Sequence, residues 1–155
     1  MIRGVEATDE QIRRELRASA RREGLLASQA AVELLIRCEF ARPGYPWIIR
    51  NEDPDAGPLG YTADFERILD ETVPVSGSQR RLLAIVASLA GRAEVNLADG
   101  VAGLDRTNIA LVLAAIAHAN GTHEDRGDGL TTGFPPGLFP WPAEQAGEGP
   151  DSHRM

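Results

Sequence analysis

Four side chains that could bind a metal ion lie close together in the sequence: His118, His123, Glu124 and Asp125. A zinc site needs such residues to converge on one point, and zinc sites recur at a few characteristic spacings. His118 falls in a predicted helix that ends at Gly121, and the resulting spacing matches none of the common zinc patterns. A histidine in the last turn of a helix also complements the helix dipole. We therefore predict no metal site and no cofactor.

The nucleophilic residues show no catalytic arrangement. Ser76 and Ser78 flank Gly77, but the segment lacks the Gly-Lys-Ser/Thr ending of a phosphate-binding loop, and the chain contains no lysine. Cys38 falls on the apolar face of a predicted helix with no histidine nearby in the sequence, which favours a buried thiol. We predict no catalytic residues. A small enzyme whose residues meet only in the folded chain stays an alternative.

A basic stripe runs along the first predicted helix. Its members lie within about 100° of one another on the helix surface: Arg13, Arg14, Arg17 and Arg21. Asp9 and Glu10 can pair with the first two, whereas the last two have no acidic residue four positions earlier. Such a stripe suits the acidic face of a protein partner, the phosphates of a nucleic acid, or an acidic surface of the protein itself.

The distribution of charge disfavours a nucleic-acid partner. Residues 1–50 hold nine Arg and seven acidic residues, a net charge of +2, whereas residues 51–155 hold seven Arg and 16 acidic residues, a net charge of −9. The sum is −7, and an acidic body repels phosphate at long range. We therefore predict a protein partner and keep a nucleic-acid-binding regulator that uses the first helix as the alternative.

The C-terminal segment combines flexible composition with an aromatic motif. From Gly121 onward, 12 of 35 residues are Gly or Pro, so the segment cannot bury enough apolar area to order most of its length. Three of the eight aromatic residues nevertheless fall close together, at Phe134, Phe139 and Trp141. We predict that residues 134–141 dock on the domain between mobile flanks. Recognition of these aromatics by a partner stays open.

The composition is that of one soluble globular domain. The chain has 155 residues, of which 43% are apolar, 25% charged and 5% aromatic. Its longest apolar run, residues 109–117, is far shorter than the roughly 20 residues of a membrane helix, and its first residues lack the apolar stretch of a signal peptide. A single cysteine allows no internal disulfide. We predict a cytoplasmic protein with no membrane partner.

Hydrophobic spacing and helix-end signals predict four main helices. They span residues 8–23, 28–40, 76–90 and 106–120. In the first, Thr8 and Gln11 fit a capping box. In the last, the predicted buried face carries Ile109, Val112, Leu113 and Ile116. The last two helices are rich in alanine, so we expect them to pack as an antiparallel pair.

The middle of the chain predicts smaller elements. Residues 47–49 and 59–61 read as the strands of a short hairpin, and a short helix is predicted over residues 62–70. Residues 96–103 allow only a turn or two of helix. The predicted fold is a mainly α bundle of four main helices in residues 1–121, with a short β-hairpin, followed by a mostly flexible Gly/Pro-rich tail over residues 122–155.

The segment from Ser76 to Gly121 resembles part of a known group of proteins. In SGSQRRLLAIVASLAGRAEVNLADGVAGLDRTNIALVLAAIAHANG, a serine-rich cap leads one helix, and a Gly-Leu-Asp turn leads a final helix that ends in His-Ala-x-Gly. This pattern is similar to small uncharacterised helical proteins of high-GC Gram-positive bacteria. The resemblance implies two helices and a bacterial cytoplasm, and it transfers no functional residue.

These features together predict a non-catalytic protein. We expect a small helical interaction or regulatory accessory protein that binds another protein. The residues predicted to bind the partner lie in the basic stripe and in the tail: Arg13, Arg14, Arg17, Arg21, Phe134, Phe139 and Trp141.

Overall fold

Five α-helices and a two-stranded antiparallel sheet form the described part of the chain, which in this computed structural model comprises residues 7–51, 60–70, 72–123 and 139–143. The elements are α1 (Asp9–Glu23), α2 (Leu26–Arg37), β1 (Ile48–Asn51), β2 (Gly60–Ala63), α3 (Gly77–Leu89), α4 (Leu97–Val101) and α5 (Arg106–Asn120). The predicted mainly α fold with four main helices and a hairpin is confirmed. No helix in these ranges has the length and apolar character needed to cross a lipid bilayer.

The caps predicted for α1, α3 and α5 are present, although the one at α1 is incomplete. α2 begins at Leu26 instead of residue 28 and has no side-chain cap. Thr8 accepts a hydrogen bond from the backbone N–H of Gln11 at 3.1 Å, but the Gln11 side chain donates to Glu15 instead of returning to Thr8. α3 has both halves of the capping box, because Ser76 and Gln79 each accept the other's backbone N–H. The serine before α3 is therefore a helix cap.

α2 is the central helix of the fold. It packs against α1, α3 and α5, and it is buried on most of its circumference, at Ala30, Ala31, Val32, Leu34, Leu35 and Ile36. A helix that is apolar nearly all round must be enclosed by its neighbours. On one side it joins a larger core with α3 and α5. On the other it joins a smaller core with α1, to which residues of the hairpin also pack.

α2 ends earlier than the sequence predicts. It spans residues 26–37 instead of 28–40, and the chain reverses through Glu39, whose φ is 66°. The N–H of Glu39 donates to the carbonyl of Ile36, and the N–H of Phe40 donates to the carbonyl of Leu35, both at 3.0 Å. This hydrogen-bond pattern normally uses glycine at the left-handed position. Because glutamate occupies that position here, the sequence does not indicate that the helix ends there.

α5 buries a face that shares only Val112 with the predicted one. Ile116 is 45% exposed, and Ile109 and Leu113 are only half-buried. The buried residues are Leu111, Val112, Ala114, Ala115 and Ala117. α5 packs mainly on α2 and makes a smaller contact with α3, so the predicted pairing of the last two long helices is the lesser contact. Alanine predominates on this face because small side chains let two helix axes approach closely.

The hairpin is confirmed, with strands that pair from Ile48 with Ala63 to Asn51 with Gly60. Residues 52–59 between the strands lie outside the described residues. The short helix predicted over residues 62–70 is wrong. Thr62 belongs to β2, where its pairing with β1 takes its backbone out of any helix, and only a 3₁₀ turn forms at Arg67–Leu69.

Trp47, just before β1, is the largest fully buried side chain of the described residues. Its indole N–H donates to the carbonyl of Phe40 at 2.8 Å. Its ring stacks on Tyr45 at a centroid distance of 4.6 Å and meets the Phe40 ring edge-on. Trp47 therefore ties the end of α2 to the start of the hairpin.

Candidate functional site

A short C-terminal segment, residues 139–143, lies against the ends of α2 and α5; we call it the strap. Trp141 is half-buried and packs against the larger core. Its indole N–H donates to Nδ1 of His118 on α5 at 3.1 Å, and the guanidinium of Arg37 on α2 lies 5.1 Å from its ring centroid. A cation over an aromatic face is attracted by the ring quadrupole. One aromatic side chain thus contacts both helices.

The strap backbone adds two hydrogen bonds. Arg37 donates from Nη1 to the carbonyl of Pro142 at 2.6 Å, and Nε2 of His123 lies 2.8 Å from the carbonyl oxygen of Phe139. Since a carbonyl only accepts, His123 donates through Nε2. The docking predicted for residues 134–141 is seen at Trp141, whereas the Phe139 side chain is 50% exposed. Phe134 lies outside the described residues.

A groove opens beside the strap, with a volume of about 570 Å³. This is within the usual range of ligand-binding clefts. It is lined from α1 by Arg13, from α2 and its end by Ile36, Arg37 and Glu39, from α5 by Thr107, Ala110 and Leu111, and from the strap by Pro142 and Ala143. Its apolar lining comes from two helices, and the strap forms one wall.

Arg13 is the charged residue of the groove that the fold leaves available. It is half-buried on α1 and makes no hydrogen bond or ion pair with any residue that the structure describes. Arg37, by contrast, is engaged by the strap and by Glu33. Glu39 pairs with Arg42 at 3.1 Å. An available guanidinium beside apolar side chains favours a ligand that carries a carboxylate next to apolar groups.

The remainder of the basic stripe does not form one surface. Arg17 donates twice to Glu33 on α2, at 2.9 and 2.8 Å, and Arg37 donates to the same carboxylate at 2.8 Å. Arg14 and Arg21 are exposed. The sequence missed this arrangement because Arg17 and Glu33 are 16 positions apart on different helices; the only local signal is the spacing of four between Glu33 and Arg37.

The carboxylate of Glu33 is held in its charged form. Burial by itself raises its pKa, but the hydrogen bonds and charges of Arg17 and Arg37 outweigh burial and hold the pKa below its ordinary value. The charged form is therefore favoured in the folded protein. Its contribution to stability is present above the ordinary carboxyl pKa and is lost as pH falls through the lower folded value.

We expect Glu33→Gln to lower the free energy of unfolding at pH 7 by about 1–2 kcal/mol, because charge-assisted hydrogen bonds of α1 and α2 are weakened. At pH 3 the difference from wild type should shrink, since the carboxyl of the unfolded wild-type chain is protonated below its ordinary pKa and the folded state loses part of this advantage. Urea unfolding at both pH values measures this. An equal difference at the two pH values would contradict the ion-pair assignment.

Cys38 is not an activated nucleophile in this structure, and His118 and His123 lie side by side. Burial raises the pKa of the Cys38 thiol to about 12, so the thiolate that reacts as a nucleophile is disfavoured. The rings of His118 and His123 lie 5.7 Å apart between centroids. Among the described residues, no three or more His, Cys, Asp or Glu gather as a metal-binding group. Glu124 and Asp125 lie outside the described residues.

Comparison of the chain with models of protein families, with curated proteins and with solved structures finds no match. The resemblance of residues 76–121 to proteins of high-GC Gram-positive bacteria therefore stays a prediction. The groove, its arginine and the strap are the observations from which a function can be argued.

Proposed function

We propose that this chain is a non-catalytic protein-interaction protein and that the groove beside the strap is its binding surface. The observation that carries the proposal is Arg13, a half-buried cation with no partner among the described residues, next to an apolar lining. A partner carboxylate placed there would gain a charge-assisted hydrogen bond in a partly desolvated setting. The apolar lining would take a neighbouring side chain.

The partner that suits this groove is an extended peptide segment with an acidic residue beside apolar ones. A groove volume of about 570 Å³ accommodates a few side chains of such a segment. Electrostatic complementarity at Arg13 would set the register, and burial of apolar groups would supply most of the affinity. The chain would act as an accessory protein that recognises such a segment.

We propose the cytoplasm of a high-GC bacterium as the setting. All 16 basic residues are arginine, which is the basic residue that GC-rich codons favour. The resemblance of residues 76–121 points the same way. The single cysteine is unpaired, which is typical of a reducing compartment.

We expect Arg13→Glu to weaken peptide binding at least tenfold, or about 1.4 kcal/mol. The probes are individual peptides selected from a displayed random library on the full-length wild-type chain, and their affinities are measured by titration calorimetry. The matched control is Arg14→Glu, the same charge change one position away at an exposed residue outside the groove. It should alter the affinity less than twofold.

Two outcomes would overturn the proposal. One is a library that yields no binding peptide, and the other is a set of peptides that both variants bind equally well. Binding of a duplex at low salt, falling steeply as salt rises and lost in a chain carrying Arg14→Glu with Arg21→Glu, would replace the proposal by a nucleic-acid-binding regulator. In that case the exposed part of the stripe would carry the function.

A further inference from the structure

We propose that the strap is an acid-sensitive wall of the groove, docked while His118 is neutral and released when His118 takes up a proton. This inference rests on the proposed function, because it concerns the regulation of the same groove. It is carried by the atoms that hold Trp141 and by the different roles of the two histidines beside it.

The bond between Trp141 and His118 exists in only one protonation state. The indole N–H of Trp141 is a donor and has no acceptor capacity in that group, so Nδ1 of His118, 3.1 Å away, must accept. A neutral imidazole whose proton is on Nε2 meets this need. In the imidazolium both ring nitrogens carry protons, so two donors would face each other across the same distance.

The hydrogen bond of His123, unlike that of His118, is compatible with a protonated ring. Its Nε2 donates to the carbonyl oxygen of Phe139 at 2.8 Å, and Nε2 carries a proton in the imidazolium as it does in the donating neutral form. Protonation of His123 therefore keeps this hydrogen bond. The structure assigns the acid sensitivity to His118 and leaves His123 as a control within the same cluster.

Several charged or titratable groups lie in the cluster around Trp141. From α2, the Arg37 guanidinium lies 5.1 Å from the centroid of the Trp141 ring, and Glu33 behind it is already shared between Arg37 and Arg17. From the end of its own helix, His123 lies 5.7 Å away between ring centroids. The strap itself, FPWPA, has no titratable side chain. A positive charge on His118 and that of Arg37 would therefore both lie against the same Trp141 side chain.

Release of the strap would change the groove. Pro142 and Ala143 form one wall, and the Pro142 carbonyl holds Arg37. Docking is coupled to the neutral form of His118, so it weakens as pH falls and the imidazole takes up a proton. The groove would be complete at neutral pH and would lose a wall in mild acid.

The chain has only two tryptophans, so the ¹H–¹⁵N spectrum of the full-length protein contains two indole N–H signals. Trp141→Phe assigns them. We expect the order parameter of the Trp141 indole to fall from about 0.85 at pH 8 to below about 0.6 at pH 5. The Trp47 indole, bonded to Phe40 in the core, should stay rigid and report that the fold is intact.

Three variants make the test specific. His118→Gln can still accept through its amide oxygen and does not titrate, so Trp141 should stay rigid at pH 5. His123→Gln should keep the wild-type pH dependence. His118→Lys carries a positive charge at neutral pH, so Trp141 should be mobile at pH 8 while Trp47 stays rigid, which tests the idea even if acid unfolds the chain.

A rigid Trp141 in His118→Lys at pH 8 would overturn the inference. So would equal loss of order in wild type and His118→Gln at pH 5 while Trp47 stays rigid. These measurements need no partner, so they are independent of the peptide selection that tests the proposed function. A working switch in a chain that binds no peptide would refute the proposed function alone, and peptide binding with a pH-insensitive strap would refute the switch alone.

Discussion

Trp47→Ala is expected to lower the free energy of unfolding by about 3–5 kcal/mol, the range found when a large buried aromatic is truncated. The side chain is fully buried, its ring stacks on Tyr45, and its N–H satisfies the carbonyl of Phe40. The variant would leave both a cavity and a buried carbonyl without its donor. Urea unfolding followed by far-ultraviolet circular dichroism measures the change.

The matched control is Trp141→Ala, the same substitution at the other tryptophan. Trp141 is half-buried and holds the strap without entering the centre of the core, so the expected loss is about 1 kcal/mol. Similar losses for the two variants would mean that the strap is as central to the fold as the contact between α2 and the hairpin, contrary to the burial seen.

Leu35→Ala is expected to lower the free energy of unfolding by about 2–5 kcal/mol, because Leu35 is fully buried on α2 and truncating its side chain leaves a cavity. Leu113→Ala removes the same atoms from a half-buried position on α5 and should cost about 1 kcal/mol. Both values come from urea unfolding under the same conditions.

Comparing the losses in free energy of unfolding of Leu35→Ala and Leu113→Ala tests which face of α5 is buried. A cost for Leu113→Ala equal to that of Leu35→Ala would restore the face predicted from the sequence, with Ile109 and Leu113 inside. The structure buries the predicted Val112 together with Leu111, Ala114 and Ala115 instead. The two leucines are chemically identical, so the comparison isolates burial from side-chain type.

The starts of α1, α3 and α5 were predictable because their signals are local, whereas α2 begins two residues before its predicted start and has no side-chain cap. Thr8, Ser76 and Asp105 each accept a backbone N–H in the first turn of the helix that follows, and such a cap needs only residues three positions away. Gly24 and Gly121 end their helices in the left-handed conformation, as predicted. These short-range patterns are sufficient to establish a mainly α fold.

The buried face of α5 was not predictable from hydrophobic spacing. That pattern gives most weight to large apolar residues such as Ile116, whereas the contact between α5 and α2 selects alanine for close approach. The same sequence offers two apolar faces, and only the partner helix decides which one is buried. Tertiary packing therefore overrides the local pattern.

The candidate site was only partly predictable for a related reason. Arg13 and Trp141 were singled out by charge and by composition, but their partners come from elsewhere in the chain. The hydrogen bond between His118 and Trp141 joins residues 23 positions apart, and Arg37 reaches Pro142 across 105 positions. No spacing rule in a single sequence reports contacts of that range.

The left-handed backbone conformation of Glu39 identifies a position where the stability of the fold can be raised. An L-residue other than glycine in that region raises the free energy of the folded state by about 1–2 kcal/mol, a cost that glycine avoids. Glu39 also lines the groove, where its carboxylate pairs with Arg42. Natural proteins stand only slightly above the stability they need. Replacing Glu39 by glycine should therefore raise the thermal stability of the fold.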